Sequence, residues 1–204
     1  MKLQNIRKTL AGALTQSVIN LLARTAITPN QITWFGLVLT LAAGVVIATG
    51  YPVVGGIIVL VGGFFDILDG ALARTTQRTT IFGGVLDSTL DRVADAIPLL
   101  GILAIYAVEG SVPKILLVGV TLLGSFLVSY IRARAEGAGL ECQVGIFTRT
   151  ERVIILAVGL LLYRVNYALV TALVIMTLFS FITVGQRLVY VWRQTRKGNK
   201  SGRE

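Results

Sequence analysis

Apolar residues dominate this chain in six long stretches, at about residues 33–50, 53–73, 83–107, 113–133, 150–163 and 168–190. A helix needs ~20 mostly apolar residues to cross the hydrocarbon core of a bilayer. The fifth stretch has the shortest strictly apolar part, and it is long enough if its start is exposed to water and its end extends to Val165. The pattern predicts an all-α integral membrane protein with six transmembrane helices.

The first 26 residues follow a different pattern, in which basic residues such as Lys2, Arg7 and Arg24 alternate with leucines and valines at helical spacing. This pattern predicts an amphipathic helix that lies in the membrane interface. A signal peptide is disfavoured because no compact apolar core precedes a small-residue cleavage site. We therefore expect one domain over residues 1–204, made of an interfacial helix (1–26), a six-helix bundle (33–190) and a basic cytoplasmic tail (191–204).

Composition supports a membrane protein and removes several classes of site. Only 14% of the residues are charged and 54% are hydrophobic, with a mean hydropathy of +0.78, whereas soluble domains carry about 25% charged residues. The chain has no His and one Cys, which excludes His-based catalytic triads, His-ligated metals and an intramolecular disulfide. The net charge of +9 does not indicate nucleic-acid binding, because the basic residues border apolar stretches instead of forming a polar face.

The basic residues also predict how the chain is oriented in the membrane. With a cytoplasmic N-terminus, the segments 1–30, 74–82, 132–152 and 191–204 lie on the cytoplasmic side and hold nearly all of the Lys and Arg. The loops on the opposite side show only Lys114 and Arg164. This is a strong positive-inside bias, so we expect both termini in the cytoplasm.

The acidic residues suggest where the chemistry occurs, because the five Asp residues all lie at the end of the second apolar stretch and the start of the third. Carboxylates at membrane depth are costly and usually functional. Asp66 and Asp69 are three residues apart, and Asp87 and Asp91 are four apart, so each pair shares one helix face. Four converging carboxylates favour divalent cations such as Mg²⁺ or Mn²⁺, in an arrangement typical of two-metal phosphoryl transfer. A cation transporter is the alternative from another functional class.

The aspartates belong to a longer pattern, Asp66-x2-Asp69-Gly70-x2-Ala73-Arg74-x8-Gly83-x3-Asp87-x3-Asp91. This pattern resembles the signature of the CDP-alcohol phosphotransferase family at every fixed position. The family transfers a substituted phosphate from a CDP-linked donor to an alcohol and releases CMP. The resemblance implies that two ions, Mg²⁺ or Mn²⁺, are held by Asp66, Asp69, Asp87 and Asp91, with Asp91 also acting as the general base.

The same resemblance implies a donor pocket and an assembly state. Gly70, Arg74 and Thr80 would contact the CDP part of the donor, which is CDP-diacylglycerol or an ether analogue. The segment Thr28–Thr33 matches the short polar turn before the first membrane helix of the family, and four of its residues would line the nucleotide pocket: Asn30, Gln31, Ile32 and Thr33. Family members commonly form homodimers through their membrane helices, and we expect the same here, with membrane lipids around the dimer.

A group of basic residues near the third cytoplasmic segment bears on the acceptor alcohol. Several arginines beside a metal site suit an anionic acceptor, because Arg binds phosphate bidentately and keeps its charge when desolvated. The run Ser-Tyr-Ile-Arg-Ala-Arg-Ala-Glu at 129–136, followed by Thr-Glu-Arg at 150–152 and Gln-Arg at 186–187, resembles the phosphatidylinositol-phosphate synthase branch of the family. This resemblance implies inositol 1-phosphate as the acceptor. It also implies four acceptor-binding residues: Ser129, Arg132, Arg152 and Arg187. A sibling enzyme that uses glycerol 3-phosphate is the alternative.

Two groups outside these motifs complete the expectations. Arg134 and Arg149 most simply follow the positive-inside bias, without a role at the site. Asp95 lies one helical turn beyond the signature, and we expect it to be a structural partner of Arg92 or of another Arg.

Overall fold

The computed structural model describes residues 28–75 and 80–201, and every regular element within these ranges is an α-helix. The helices are α1 (Pro29–Ala48), α2 (Pro52–Thr75), α3 (Ile81–Val108), α4 (Val112–Gly137), α5 (Arg149–Leu161) and α6 (Ala168–Ser201). Each predicted transmembrane stretch corresponds to one helix, which confirms the all-α, six-helix prediction. The interfacial helix expected over residues 1–26 lies outside the described residues. The segment predicted as a basic cytoplasmic tail from residue 191 continues α6 as far as Ser201.

Four of the described helices are long and apolar enough to cross a membrane: α1, α2, α4 and α6. The other two differ for physical reasons. The first half of α3 carries charged side chains, and α5 has only 13 residues. The chain is therefore a membrane protein in which the two less apolar helices bring charged groups to the bundle.

Local capping sets where the helices begin near the aspartates. Thr28 caps α1, since its hydroxyl accepts from the backbone N–H of Gln31 while the Gln31 side chain accepts from the Thr28 N–H. Pro29 follows at a position where the missing N–H costs nothing. The segment expected as a turn before the helix therefore forms the first turns of α1. Thr80 caps α3 in the same way by accepting from the Gly83 N–H at 3.0 Å.

The helices pack so that α1 lies against α2 and α3, α4 against α3 and α6, and α5 against α2 and α6. Buried side chains from α3, α5 and α6, such as Leu99, Leu160 and Leu173, form the main apolar core. Helices α1 and α3 pack closely at Gly44 and Gly101, where a Cβ on Gly101 would lie 2.6 Å from the Gly44 carbonyl oxygen. This close contact sets the spacing between the C-terminal halves of α1 and α3.

The loop of residues 138–148 is fastened to the side of α6. The Gln186 side chain accepts from the Ile146 N–H at 3.2 Å, and the Gln194 side chain donates to the Glu141 carbonyl at 3.2 Å. Between these two contacts, the Arg187 Nε donates to the Val144 carbonyl at 2.9 Å. The loop therefore follows about two turns of one helix before it enters α5.

Candidate active site

Three carboxylates of the sequence motif meet between the end of α2 and the start of α3. Asp66, Asp69 and Asp87 each offer one oxygen, and these oxygens lie within 4.8 Å of one another. Asp69 is buried, and its Oδ2 atom has no hydrogen-bond partner among the described residues. Burying a charged oxygen without a partner is costly. The three residues therefore fit a hard divalent cation, which prefers carboxylate oxygens.

Asp91 lies one turn further along α3, next to this group but not within it. Its Oδ1 atom is 2.9 Å from the Nη1 atom of Arg149. Its side chain also lines a neighbouring cavity of about 500 Å³, together with Asp87. Asp91 therefore lies at the boundary between the three clustered carboxylates and the cavity. Its assignment as both a metal ligand and the general base stays a prediction.

Arg149 lies at the centre of the acidic cluster, and the expectation that it has no role at the site was wrong. Its Nη1 atom contacts carboxylate oxygens of both Asp66 and Asp91, and its Nε donates to Asp95 Oδ1 at 3.1 Å. One guanidinium thus joins carboxylates from α2 and α3. The physical reason is that Arg149 is the first residue of α5, where the returning loop brings it against those two helices.

A signal for this arrangement was present in the sequence. A cation in the first turn of a helix is opposed by the helix dipole, so an Arg at that position needs carboxylates nearby. The Glu151 carboxylate already accepts from the Thr148 backbone N–H at 2.7 Å and from the Thr148 hydroxyl. Glu151 is therefore engaged in capping, and the carboxylate partners of Arg149 come from the clustered aspartates of α2 and α3.

The four residues predicted to bind the acceptor all line the 500 Å³ cavity: Ser129, Arg132, Arg152 and Arg187. They come from three different helices, so the structure brings together residues that are up to 58 positions apart in sequence. Arg92 and Arg149 line the same cavity and bring the number of guanidiniums to five. A cavity with this many arginines beside carboxylates suits a ligand that carries a phosphate and presents a reactive hydroxyl.

These arginines differ in how they are held. Arg152 is only 3% exposed, and its Nη2 atom lies 2.6 Å from Asp95 Oδ2. Asp95 is thus a partner of Arg149 and Arg152, as expected for a partner of an Arg other than Arg92. Arg187 is also buried and donates to backbone carbonyls, including that of Val144. Arg132 is exposed and pairs with Glu136 four residues later at 2.8 Å.

The predicted donor residues lie around the first turns of α1. Thr33 lines a second cavity together with Asp66 and Asp69. A Cβ on Gly83 would lie 2.9 Å from the Thr80 hydroxyl and 3.8 Å from Asn30 Oδ1, which places the starts of α1 and α3 side by side.

The other predicted donor residues are placed differently. The Gln31 side chain serves the capping box of α1. The Ile32 side chain is buried against Leu68 and Leu72, which is a packing role. Gly70 directly follows Asp69 in α2, and the side chain of Arg74, on the last turn of α2, is not among those described. Because its side chain is buried against α2, Ile32 can offer a ligand only its backbone atoms.

Comparison with known proteins agrees with this geometry. The family profile described as CDP-alcohol phosphatidyltransferase matches residues 26–185. The chain belongs to this family. A curated relative from Methanothermobacter thermautotrophicus, named archaetidylinositol phosphate synthase, is 39% identical over 85% of this chain and 87% of its own length. The phosphatidylinositol phosphate synthase of Mycobacteroides abscessus is 35% identical over 86% of this chain and 82% of its own.

Solved structures of family members have the same fold as this CDP-alcohol phosphatidyltransferase. The Mycobacterium tuberculosis phosphatidylinositol phosphate synthase with CDP-DAG bound superposes with a TM-score of 0.80 and 33% identity, covering 88% of this chain and 94% of that one. The same enzyme in complex with manganese and citrate gives a TM-score of 0.78 and 32% identity, covering 87% and 88%.

Proposed function

We propose that this CDP-alcohol phosphatidyltransferase makes phosphatidylinositol phosphate, or its ether-lipid counterpart, for phospholipid biosynthesis. The donor is CDP-diacylglycerol or its ether analogue, the acceptor is inositol 1-phosphate, and CMP is released. One observation supports this most directly: Asp91 lines the same cavity as Ser129 and all three predicted acceptor arginines. The names of the relatives and the bound CDP-DAG of the mycobacterial structure point to the same reaction.

The chemistry assigns separate tasks to the residues of the site. Asp66, Asp69 and Asp87 hold Mg²⁺ or Mn²⁺, with Asp91 as a ligand of a second ion, and manganese is present in one structure of the mycobacterial enzyme. When bound, the ions polarise the donor diphosphate and stabilise its developing charge. Asp91 accepts the proton of an inositol hydroxyl, whose oxygen forms a bond to the β-phosphorus. The bond from that phosphorus to the bridging oxygen breaks, and CMP leaves with the electron pair.

Positioning of both substrates supplies most of the acceleration in this mechanism. Asn30, Gln31, Ile32, Thr33, Gly70, Arg74 and Thr80 are the proposed donor contacts, and Thr33 has the best support because it lines a cavity with Asp66 and Asp69. Ser129, Arg132, Arg152 and Arg187 are the proposed acceptor contacts. An uncharged alcohol would offer no anionic partner to Arg187, which is buried and donates to backbone carbonyls, and a buried cation without a counter-charge is unfavourable.

The experiment that tests this proposal compares acceptors on the purified full chain. The protein is reconstituted with CDP-diacylglycerol and Mg²⁺, and it receives inositol 1-phosphate, glycerol 3-phosphate or free inositol in parallel. We expect CMP release and a phosphatidylinositol phosphate product, identified by mass spectrometry, with the first acceptor. An Asp91→Asn variant serves as the control for release that does not depend on the site.

The alternatives make different predictions in the same experiment. Product formation from glycerol 3-phosphate alone would refute the assigned acceptor and indicate a phosphatidylglycerophosphate synthase. The cation transporter predicted ion flux without CMP release, and membership of a transferase family leaves it without support.

We also propose that the end of the bundle with the active site faces the cytoplasm. Arg132, Arg149, Arg187 and Arg193 lie towards this end of α4, α5 and α6, whereas Lys114 and Arg164 are the basic residues near the opposite loops. This distribution supports the positive-inside orientation. A reporter cysteine placed at Thr195 in a Cys142→Ser background is expected to react with a membrane-impermeant thiol reagent only after the inner face is opened. Labelling of intact cells would contradict the orientation.

The single-domain assignment of residues 1–204 and the homodimer both stay predictions. The homodimer is supported by the family resemblance, and it can be tested by measuring the mass of the protein in nanodiscs. A monomer at the concentration that gives full activity would contradict it.

A further inference from the structure

Asp95 makes two ion pairs that neither the sequence motif nor the proposed reaction uses. Its Oδ1 atom accepts from Arg149 Nε at 3.1 Å, and its Oδ2 atom accepts from Arg152 Nη2 at 2.6 Å. Its side chain is only 11% exposed. Each carboxylate oxygen therefore holds one guanidinium, and both guanidiniums come from the first turn of α5.

These ion pairs form part of a continuous chain of contacts. Arg149, held by Asp95 through Nε, uses its Nη1 atom to reach Asp66 and Asp91. Arg152, held by the other oxygen, has a buried Nε atom without a hydrogen-bond partner among the described residues. Asp95 thus connects the proposed acceptor-binding arginine with the arginine that contacts the proposed general base.

Asp91, Asp95, Arg149 and Arg152 all line the 500 Å³ cavity, together with the other proposed acceptor residues. Helix α5 packs against α2 and α6, so the Asp95 contacts add a link from α5 to α3 at the cavity wall. Arg149 also pairs with Asp66 and Asp91, so Arg152 is the guanidinium of the two that can be offered to a phosphate. A long Arg side chain loses rotamer freedom when it binds, and a fixed partner reduces that loss at the moment of ligand binding.

We propose that Asp95 is a positioning residue for the acceptor, which rests on the function proposed above. It aims the Arg152 guanidinium at the phosphate of the acceptor, and it holds Arg149 by one edge so that Arg149 does not turn fully onto Asp66 and Asp91. Asp95 itself touches neither substrate. Its side chain also lines the cavity that holds Thr33, so the effect is expected to be larger on the affinity for the acceptor than on the affinity for the donor.

The test uses steady-state kinetics of CMP release by the purified full chain, with each substrate varied in turn. Asp95→Asn keeps the size of the side chain and removes its charge. We expect KM for inositol 1-phosphate to rise about tenfold or more, the effect of losing one charge-assisted hydrogen bond to the acceptor. We expect KM for CDP-diacylglycerol to stay within about twofold, because α1 and α2 carry most of the proposed donor contacts.

Two further variants separate positioning from a structural role. Asp95→Glu keeps the charge on a longer side chain and is expected to raise KM for inositol 1-phosphate by less than Asp95→Asn does. If the Asn variant fails to accumulate, the Glu variant alone tests the positioning role. Glu109→Gln is the matched control, because it removes a carboxylate from an ion pair with Lys114 (2.7 Å) at the opposite end of α3. We expect its kinetic constants to equal those of the wild type.

The outcomes decide between the inference and the function beneath it. An unchanged KM for inositol 1-phosphate in Asp95→Asn would overturn the positioning role, as would equal losses for both substrates together with a lower thermal midpoint. If the wild type itself releases no CMP with inositol 1-phosphate, the proposed function has failed, and that result is read before any variant is compared.

Discussion

The contact between Gly44 and Gly101 gives the sharpest prediction about the bundle. In Gly101→Ala, the new Cβ would lie 2.6 Å from the Gly44 carbonyl oxygen and 3.0 Å from Ile47 Cβ. Neither neighbour is the free end of a flexible side chain, so the backbones of α1 and α3 must move apart. Overpacking of this kind costs about 1–3 kcal/mol.

Helix propensity acts in the opposite direction and must be separated from the steric cost. Replacing Gly by Ala within a helix stabilises it by roughly 0.5–1 kcal/mol when space is available. Gly119 on α4 provides the matched control, because a Cβ there has no heavy atom within 4 Å. The difference between the two Ala variants therefore isolates the steric cost at the α1–α3 contact.

The assay is the loss of folded protein in one detergent or nanodisc preparation, measured by thermal unfolding of both variants and the wild type. We expect Gly119→Ala to unfold at or slightly above the wild-type midpoint and Gly101→Ala to unfold below it. CMP release should fall in Gly101→Ala as well, because a displaced α1 also carries Thr33, which lines a cavity with Asp66 and Asp69. Equal midpoints for the two variants would refute the close contact as a determinant of stability.

Three further predictions concern the site and the helix that completes it. Asp91→Asn should lower kcat for CMP release by at least about 10²–10⁴, the usual contribution of a general base, and wild-type turnover would exclude Asp91 as the base. Removal of divalent cations with a chelator should abolish CMP release, and Mg²⁺ or Mn²⁺ should restore it; activity that persists in excess chelator would contradict the metal site at Asp66, Asp69 and Asp87. Glu151→Ala should lower the free energy of unfolding by about 1 kcal/mol because it removes the capping partner of Thr148, and an unchanged thermal midpoint would contradict that cap.

The helices and the acidic site were accessible from the sequence for clear physical reasons. A stretch long and apolar enough to span a bilayer has few folds other than a helix, because lipid offers no partner for exposed backbone groups. The Asp66–Asp69 and Asp87–Asp91 spacings then fix which carboxylates share a face. Both kinds of information are local, so the positions of these elements follow without knowledge of the tertiary contacts.

The features that the sequence left open concern contacts that depend on how distant segments return to the site. Arg149 follows an irregular loop, and hydropathy does not indicate which way the first turn of α5 faces. Ile32 was assigned to the nucleotide pocket because of its place in a motif, yet its side chain packs against α2, and only the tertiary arrangement reveals that. The extension of α6 past residue 191 was missed because polarity at the end of a transmembrane helix indicates the edge of the bilayer and not the end of the helix.

That extension has a consequence for how the enzyme responds to its lipid environment. The 34 residues of α6 span about 51 Å at 1.5 Å per residue, whereas the hydrocarbon core is ~30 Å thick. Trp192 has the Arg196 guanidinium 4.6 Å from its ring centroid, and this pair suits the interface between the hydrocarbon core and water. A thinner or thicker bilayer changes the tilt of such a rod. Helix α6 is hydrogen-bonded to the loop that precedes Arg149. The acyl-chain length of the lipid should therefore be held constant whenever turnover is compared between preparations.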